Sequence, residues 1–336
     1  MLSGNMSQRD YEIAVVIPCY KVARHLADVV SRIGPEVTRI YCVIDGCPEG
    51  SGAVATALQT SDLRIRIISS QVNRGVGHAF ALGCEQALKE GADVIVKLDG
   101  DGQMAPEEIC RLVAPVKSGK ADYVKGNRFF FLEDLKSMPW VRMMGNAGLS
   151  FFSKLSSGYW NLFDPTNGFF AIHAAVAQQV PWPKVSRRYF FESDLLFRLA
   201  ILRAVAIDVP MPARYADEQS NLSVLKAVVE FPLLHLLNFC KRLFYCYFLR
   251  EFNIASLYLL LSVLLLGFGT TFGLIHWMHG YKLNQLASAG TVMFAALPVI
   301  LGWQALLSFL AFDVSNIPKV PFQERVGASG WQQHRL

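Results

Sequence analysis

Charge is what this sequence has least of. Only 18% of its 336 residues are Asp, Glu, Lys or Arg, against about 25% in an ordinary soluble chain. The net charge of +5 is small, and the basic residues are scattered rather than gathered into a stripe, which argues against a nucleic-acid partner. There are seven cysteines but no CxxC pair. The spacing of His and Cys suits no zinc site. Several cysteines lie inside apolar runs, as reduced and mostly buried thiols of a cytoplasmic compartment do. The opening MLSGNMSQRDYE is polar and lacks the apolar stretch of a secretory signal.

What the chain has instead is hydrophobic length, 52% of its residues being apolar. Ile254–Trp277 and Ala289–Phe312 contain no formally charged residue, and each exceeds the roughly 20 residues a spanning helix needs. A link of about eleven residues would make them a hairpin. Lys241, Arg242 and Arg250 precede the first span, Lys319, Arg325 and Arg335 follow the second, and only Lys282 lies between. That bias predicts an integral membrane protein with its soluble domain and both termini in the cytoplasm. Val224–Leu249 is also apolar, but Lys241 and Arg242 interrupt it and Pro232 kinks it. It reads as one or two amphipathic helices lying on the membrane, with a third span as the alternative.

The first half alternates strand and helix patterns. Ile13–Ile17, Tyr41–Ile44, Ile65–Ile68, Val94–Leu98 and Asp122–Val124 read as strands, and Val76–Lys89 as an amphipathic helix. Pro106 followed by Glu107 and Glu108 marks another helix start. Alternation of this kind predicts a mostly parallel sheet with helices on both faces, and ligands beyond the carboxyl ends of its strands. Asp45 and Asp99 lie at such ends. From 127 to 220 the pattern is mixed and dense in aromatics, which suits either a lipid-facing elaboration or an ordinary aromatic core.

Three stretches could carry chemistry. In VKLDGDGQM (96–104), Asp99, Asp101 and Gln103 alternate, so their side chains can converge on one point. Three oxygen donors suit Mg²⁺ or Mn²⁺ bound with water and phosphate oxygens; the alternative is a polar loop capping the next helix. Asp45, in VIDGCPEGSG, could accept hydrogen bonds from a base or ribose. NRGVGHAFALG (73–83) offers backbone N–H groups, a helix N-terminus and Arg74 to an anion, or simply packs helix tightly on sheet. Phe80 stands where a dinucleotide fingerprint needs its third glycine, and no GK[ST] follows for a P-loop.

Taken together, VVIPCY (15–20), VIDG (43–46), NRGVGHA (73–79), KLDGDGQ (97–103), ADYVKGNRF (121–129), DPTNGFFA (164–171) and RRYFFESDLL (187–196) resemble glycosyltransferase family 2, in family order over about 200 residues. The D-x-D-x-Q and two-span tail resemble its polyprenyl-phosphate, dolichol-phosphate-mannose-synthase-like branch. The resemblance implies an α/β GT-A fold, a Rossmann-like mixed and mostly parallel sheet. The expected segments are an N-terminal tail (1–11), the catalytic domain (12–222), juxtamembrane amphipathic helices (223–252), a transmembrane hairpin (253–313) and a cytoplasmic tail (314–336). It implies that Pro18, Tyr20, Asp45, Arg74 and Asp99 bind the nucleotide sugar, and that Asp99, Asp101 and Gln103 hold Mg²⁺ or Mn²⁺ at the diphosphate. Arg128 and Arg142 would contact the acceptor phosphate. Asp164 would be the candidate catalytic carboxylate, with Glu192 and Asp194 near the sugar or acceptor.

Two departures touch the nucleotide end: Lys21 and Val22 replace the usual Asn-Glu, and Ile44 replaces the first acid of V-D-D-G. The implied reaction is inverting transfer of a sugar from a UDP- or GDP-sugar to a polyprenyl phosphate at the cytoplasmic membrane face. Another lipid or polysaccharide hydroxyl acceptor is the alternative, and a non-catalytic nucleotide-sugar-binding membrane protein a second. A homo-oligomer is a family expectation.

Overall fold

A computed structural model describes residues 11–130, 140–164, 167–212 and 224–326, leaving out the side chains of 141, 142 and 224–229. By contacts the chain forms two compact units, one of Met1–Phe239 with Pro318–Leu336 and one of Cys240–Ile317.

The first unit is built on a seven-stranded sheet. Its strands are β1 (Ile13–Cys19), β2 (Arg39–Asp45), β3 (Ile65–Ser70), β4 (Val94–Lys97), β5 (Tyr123–Asn127), β6 (Phe170–His173) and β7 (Ala206–Pro210), in spatial order β3-β2-β1-β4-β6-β5-β7. All neighbours are parallel except β6, which runs antiparallel to both β4 and β5. The carboxyl ends of β1, β2, β3, β4, β5 and β7 therefore share one sheet edge, and the chain entering β6 comes from that same edge. This is the mixed, mostly parallel GT-A arrangement. The five strands expected from apolar runs are β1 to β5; β6 and β7 lie in the stretch whose pattern was mixed.

Strand alternation divides the core into two layers. Val15, Ile17, Val94 and Val96 face one, covered by helices α1 (Leu26–Ser31) and α4 (Ile109–Lys117). Ala14, Val16, Ile95 and Phe170 face the other, with Phe80 of α3 (Val76–Lys89) and Phe191 of α7 (Phe191–Ile201) packed ring to ring against Phe170. Helix α2 (Ser51–Ser61) lies beside β3, α5 (Trp140–Ser157) beside α7, and α6 (Ala174–Ala177) follows β6. Of the cysteines, all unpaired, Cys19, Cys42 and Cys84 are buried, whereas Cys110 and Cys240 are exposed, so burial is less general than the apolar runs implied.

The segment after the two long apolar helices returns to this sheet rather than trailing as a tail. The buried Asp122 carboxylate accepts N–H bonds from Phe322 (2.7 Å), Gln323 (3.0 Å) and Val205 (2.7 Å). The Gln323 amide donates to the Ala121 carbonyl (2.9 Å), and Arg325 donates to that of Arg203 (2.6 Å).

In the second unit, α8 (Val224–Phe244), which begins in the first, runs into a π-helical turn at Tyr245–Arg250. Helices α9 (Ile254–Leu283) and α10 (Ala289–Ser315) then pack against each other. Both are long and apolar enough to cross a membrane. Leu264, Phe268, Trp277, Phe294, Ile300 and Trp303 are exposed along them, which suits lipid and not the core of a soluble protein. α9 runs beyond the expected end at Trp277 and stops at Asn284, whose left-handed φ of 53° breaks the helix. Arg242 does not serve as a free interfacial charge. It is buried and donates to both oxygens of Asp313, at 2.6 and 3.0 Å, and the Tyr247 hydroxyl donates to the same carboxylate at 2.6 Å.

Candidate active site

Most of the expected site residues that the structure describes lie at or just beyond the carboxyl edge of the sheet. Pro18 and exposed Tyr20 lie at the end of β1, and Asp45 at the end of β2. Asp99, Asp101 and Gln103 follow β4. Arg128 follows β5, and Asp164 stands on the approach to β6. The Arg142 side chain lies outside the described residues.

Asp45 is buried, and its carboxylate accepts the Arg74 N–H (3.0 and 3.1 Å) and the Gly75 N–H (2.7 Å). The Gly77 N–H is bonded to the Arg187 carbonyl at 2.9 Å. A Cβ at Gly75, where φ is +103°, would meet that carbonyl at 2.4 Å. The glycine loop is thus a packing device: the backbone donors of Arg74, Gly75 and Gly77, expected to cradle an anion, are already occupied. The exposed Arg74 side chain remains at the edge. Where the sequence departs from the family pattern, Lys21 adopts a left-handed φ of 59°, its N–H bonds Cys47 Sγ at 3.1 Å, and its ammonium pairs with Glu49 at 3.3 Å. Ile44 is buried in the core beneath.

After β4 the backbone folds so that Asp101 Oδ1 accepts the Gln103 N–H at 3.0 Å. Among the described residues no group of three His, Cys, Asp or Glu is placed to hold a metal. The candidate set here is two carboxylates and an amide, Asp99, Asp101 and Gln103. These hard oxygen donors fit Mg²⁺ or Mn²⁺ completed by phosphate and water oxygens.

The pairing at β5 is more definite. Asp164 is fully buried, and Arg128 grips it in a fork, Nε to Oδ2 at 2.8 Å and Nη2 to Oδ1 at 3.2 Å. Arg128 is about a third exposed, with a side-chain accessibility of 30%, so its guanidinium is oriented by Asp164 while reaching the surface. Asp194 is turned inward: it accepts from the Ser186 N–H (2.9 Å), Arg198 (3.1 Å) and Asn238 (3.0 Å), tying α7 to α8.

Two functional candidates were missed in the sequence. Lys97 and Lys125, both fully buried, flank Phe170 on one face of the sheet, each paired in register with it. Lys97 Nζ lies 2.6 Å from Asp99 Oδ1 and 3.6 Å from Glu192 Oε1. Burial alone would lower its pKa, but Asp99 and Glu192 outweigh that and hold the ammonium above its ordinary value. At Lys125 burial wins and lowers the pKa to about 8, against the pull of Glu192, Asp164 and Asp208. Asp208, its neighbour on β7, is raised by burial to about 6. The available signal was a repeated pattern: two strand segments, VIVK and YVK, each carrying a lysine after apolar residues near its carboxyl end.

A mixed, mostly parallel GT-A sheet with an aspartate pair beyond its fourth strand is a glycosyltransferase arrangement. Comparison with known proteins agrees. The model for glycosyl transferase family 2 matches residues 14–180, and the chain belongs to that family and is a glycosyltransferase. It is 29% identical over 213 residues to the polyprenol monophosphomannose synthase of Mycolicibacterium smegmatis, covering 62% of this chain and 79% of the relative. It is 26% identical over 221 residues to the UDP-N-acetylglucosamine–dolichyl-phosphate N-acetylglucosaminyltransferase of Methanococcus voltae, covering 62% and 88%. Among solved structures, glucosyl-3-phosphoglycerate synthase from Mycobacterium tuberculosis, in complex with Mn²⁺, UDP and glucosyl-3-phosphoglycerate, superposes with a TM-score of 0.52. That match has 17% identity and covers 69% of this chain and 80% of that one; it bears on the fold.

Proposed function

We propose that this protein transfers a sugar from a nucleotide diphosphate sugar to a polyprenyl phosphate at a membrane surface, with inversion at the anomeric carbon. The observation that carries this reading is the Arg128–Asp164 fork on the same sheet edge as the aspartate loop. It is a cation, aimed by a buried carboxylate, suited to an anionic acceptor. The names of the two relatives, one a polyprenol and one a dolichyl-phosphate enzyme, support the acceptor class.

Pro18, Tyr20, Asp45 and Arg74 would bind the nucleotide. Asp99, Asp101 and Gln103 would hold a divalent ion, which when bound supplies Lewis-acid neutralisation of the departing diphosphate. Arg128, with Arg142, would orient the lipid phosphate. That phosphate, with a second pKa of about 6, is already a dianion in part at neutral pH. Asp164 therefore acts by holding Arg128 and not by removing a proton. The two apolar helices would tether the catalytic unit to the membrane that carries the acceptor. Return of residues 318–326 to the catalytic unit supports a hairpin that begins and ends on one face. Together with Lys241, Arg250, Lys319 and Arg325 outside the spans, it supports the cytoplasmic face.

The test is transfer itself. Protein purified in detergent is given Mn²⁺ or Mg²⁺, a panel of UDP- and GDP-sugars and a polyprenyl phosphate, and glycolipid is followed by thin-layer chromatography and mass spectrometry. Product with one donor is expected. Absence of product with every donor, or transfer only to a lipid hydroxyl, overturns the reading.

A further inference from the structure

Lysine is an unexpected residue at the last position of a strand buried on both faces, and Lys97 has no solvent-accessible surface at all. Its ammonium is fixed between two acids, Asp99 Oδ1 at 2.6 Å and Glu192 Oε1 at 3.6 Å. The surroundings are shaped for this pair. A Cβ at Gly168, on the approach to β6, would stand 2.6 Å from Lys97 Nζ and 2.7 Å from Asp99 Oδ2. With the pair placed as it is, a side chain there would have to push the tips of Lys97 and Asp99 aside.

The charge arrangement has a consequence for cation binding. Asp99 and Asp101 on one loop, with Glu192 behind, would by themselves concentrate negative charge and recruit a bare divalent ion. With an ammonium already against Asp99, a bare ion meets that carboxylate neutralised and is repelled by the lysine. A diphosphate adds both charge and oxygen donors, which reverses the balance. We propose that Lys97 is a resident counter-cation for Asp99, so that the loop takes up a divalent ion strongly only together with the diphosphate of the donor. Glu192 is then a positioning residue that acts through Lys97 by drawing its charge away from Asp99. The inference rests on the metal–diphosphate reading above.

The two residues oppose each other, so their replacements move cation binding in opposite directions. Binding of Mn²⁺ is followed by loss of the free-ion electron paramagnetic resonance signal, with and without UDP or GDP, for the full chain in detergent. The wild type binds bare Mn²⁺ weakly and at least about tenfold more tightly with its nucleotide. Lys97→Met binds bare Mn²⁺ about tenfold or more tightly than wild type, the scale expected when a unit charge facing a divalent ion across a few ångströms is removed even under water-like screening. The nucleotide effect shrinks accordingly. Glu192→Gln binds bare Mn²⁺ more weakly than wild type.

A merely structural role would weaken binding in both variants, so movement in the same direction overturns the proposal, as does unchanged or weaker bare-ion binding in Lys97→Met. If Lys97→Met fails to fold, Lys97→Gln, which is also uncharged but keeps a polar group beside Asp99, replaces it: tighter bare-ion binding supports the lysine's role, and weaker or unchanged binding overturns it. Wild-type protein that binds no Mn²⁺ with either nucleotide overturns the metal reading and this inference with it. Wild-type binding with the wrong pattern in the variants overturns the inference alone.

Discussion

Replacing Asp164 by Asn separates an orienting carboxylate from a catalytic base. The substitution keeps the shape of a fully buried side chain but removes its charge and one acceptor oxygen. Arg128 now donates through Nε and Nη2 to two oxygens, at 2.8 and 3.2 Å. An asparagine can accept only one of these bonds and turns an NH₂ toward the other donor. The loss is one charge-assisted hydrogen bond, about 1.5–3 kcal/mol, or roughly tenfold to 150-fold at 1.4 kcal/mol per decade. If Arg128 grips the acceptor phosphate, that factor falls mainly on KM for polyprenyl phosphate, with kcat reduced far less. Initial rates at pH 7.5 with saturating donor and Mn²⁺, as the acceptor is varied, give both constants, and a thermal melt confirms the fold. The acid limb of kcat/KM should be unchanged in the variant, since it follows the acceptor phosphate near a pKa of about 6. A general base contributes about 10²–10⁴ to the rate. A kcat loss of that size with KM unchanged and the acid limb gone would refute the orienting role.

Other consequences are as open to measurement. Asp313→Ala leaves the buried Arg242 without its partner, a change that typically costs about 3–5 kcal/mol; the melting temperature in detergent should drop sharply, and the double change Arg242→Met with Asp313→Leu should recover most of it. Asp122→Ala strips three backbone donors, at Val205, Phe322 and Gln323, of their acceptor, at about 1–3 kcal/mol for each group left unsatisfied. Limited proteolysis should then cut within 318–326, where the wild type resists. His173 accepts the Ala175 N–H through Nδ1 at 3.1 Å, and burial holds its pKa down at about 4 against the pull of Asp122 and Asp93. Its folded pKa lies below the unfolded value of about 6.5, so its contribution to stability is complete above pH 6.5 and is lost as the pH falls toward 4. Melting temperatures across that window should decline less steeply in His173→Asn, whose side-chain oxygen can still cap Ala175; an equal slope would count against the assignment.

The parts of this fold that could be read from the sequence are those written in consecutive residues. β1 to β4 are apolar runs, and α3 carries apolar residues at helical spacing over the whole expected range Val76–Lys89. D-x-D-x-Q is one loop. β6 was hidden because four residues, Phe170–His173, look like part of an aromatic cluster. β7 was hidden because Asp208 and Pro210 break the expected alternation at its sheet-edge position. Lys97 and Lys125 escaped notice for a different reason: a lysine in a strand reads as a solvent face, and burial becomes tolerable only when carboxylates from elsewhere surround it.

The site itself consists mainly of such pairings between distant residues. Arg128 meets Asp164 across 36 positions, and Gly75 meets Asp45 across 30. Lys97 meets Glu192 from the start of α7. None of these has a local pattern. The first exists because β6 enters antiparallel and so delivers Asp164, with Gly168 after it, to the edge where the parallel strands end. A parallel β6 would begin at the opposite edge, leaving Arg128 without its carboxylate and Lys97 without the glycine that makes room for it. The reversal of that single strand is therefore what joins the half of the sheet proposed to bind the nucleotide to the half proposed to receive the acceptor.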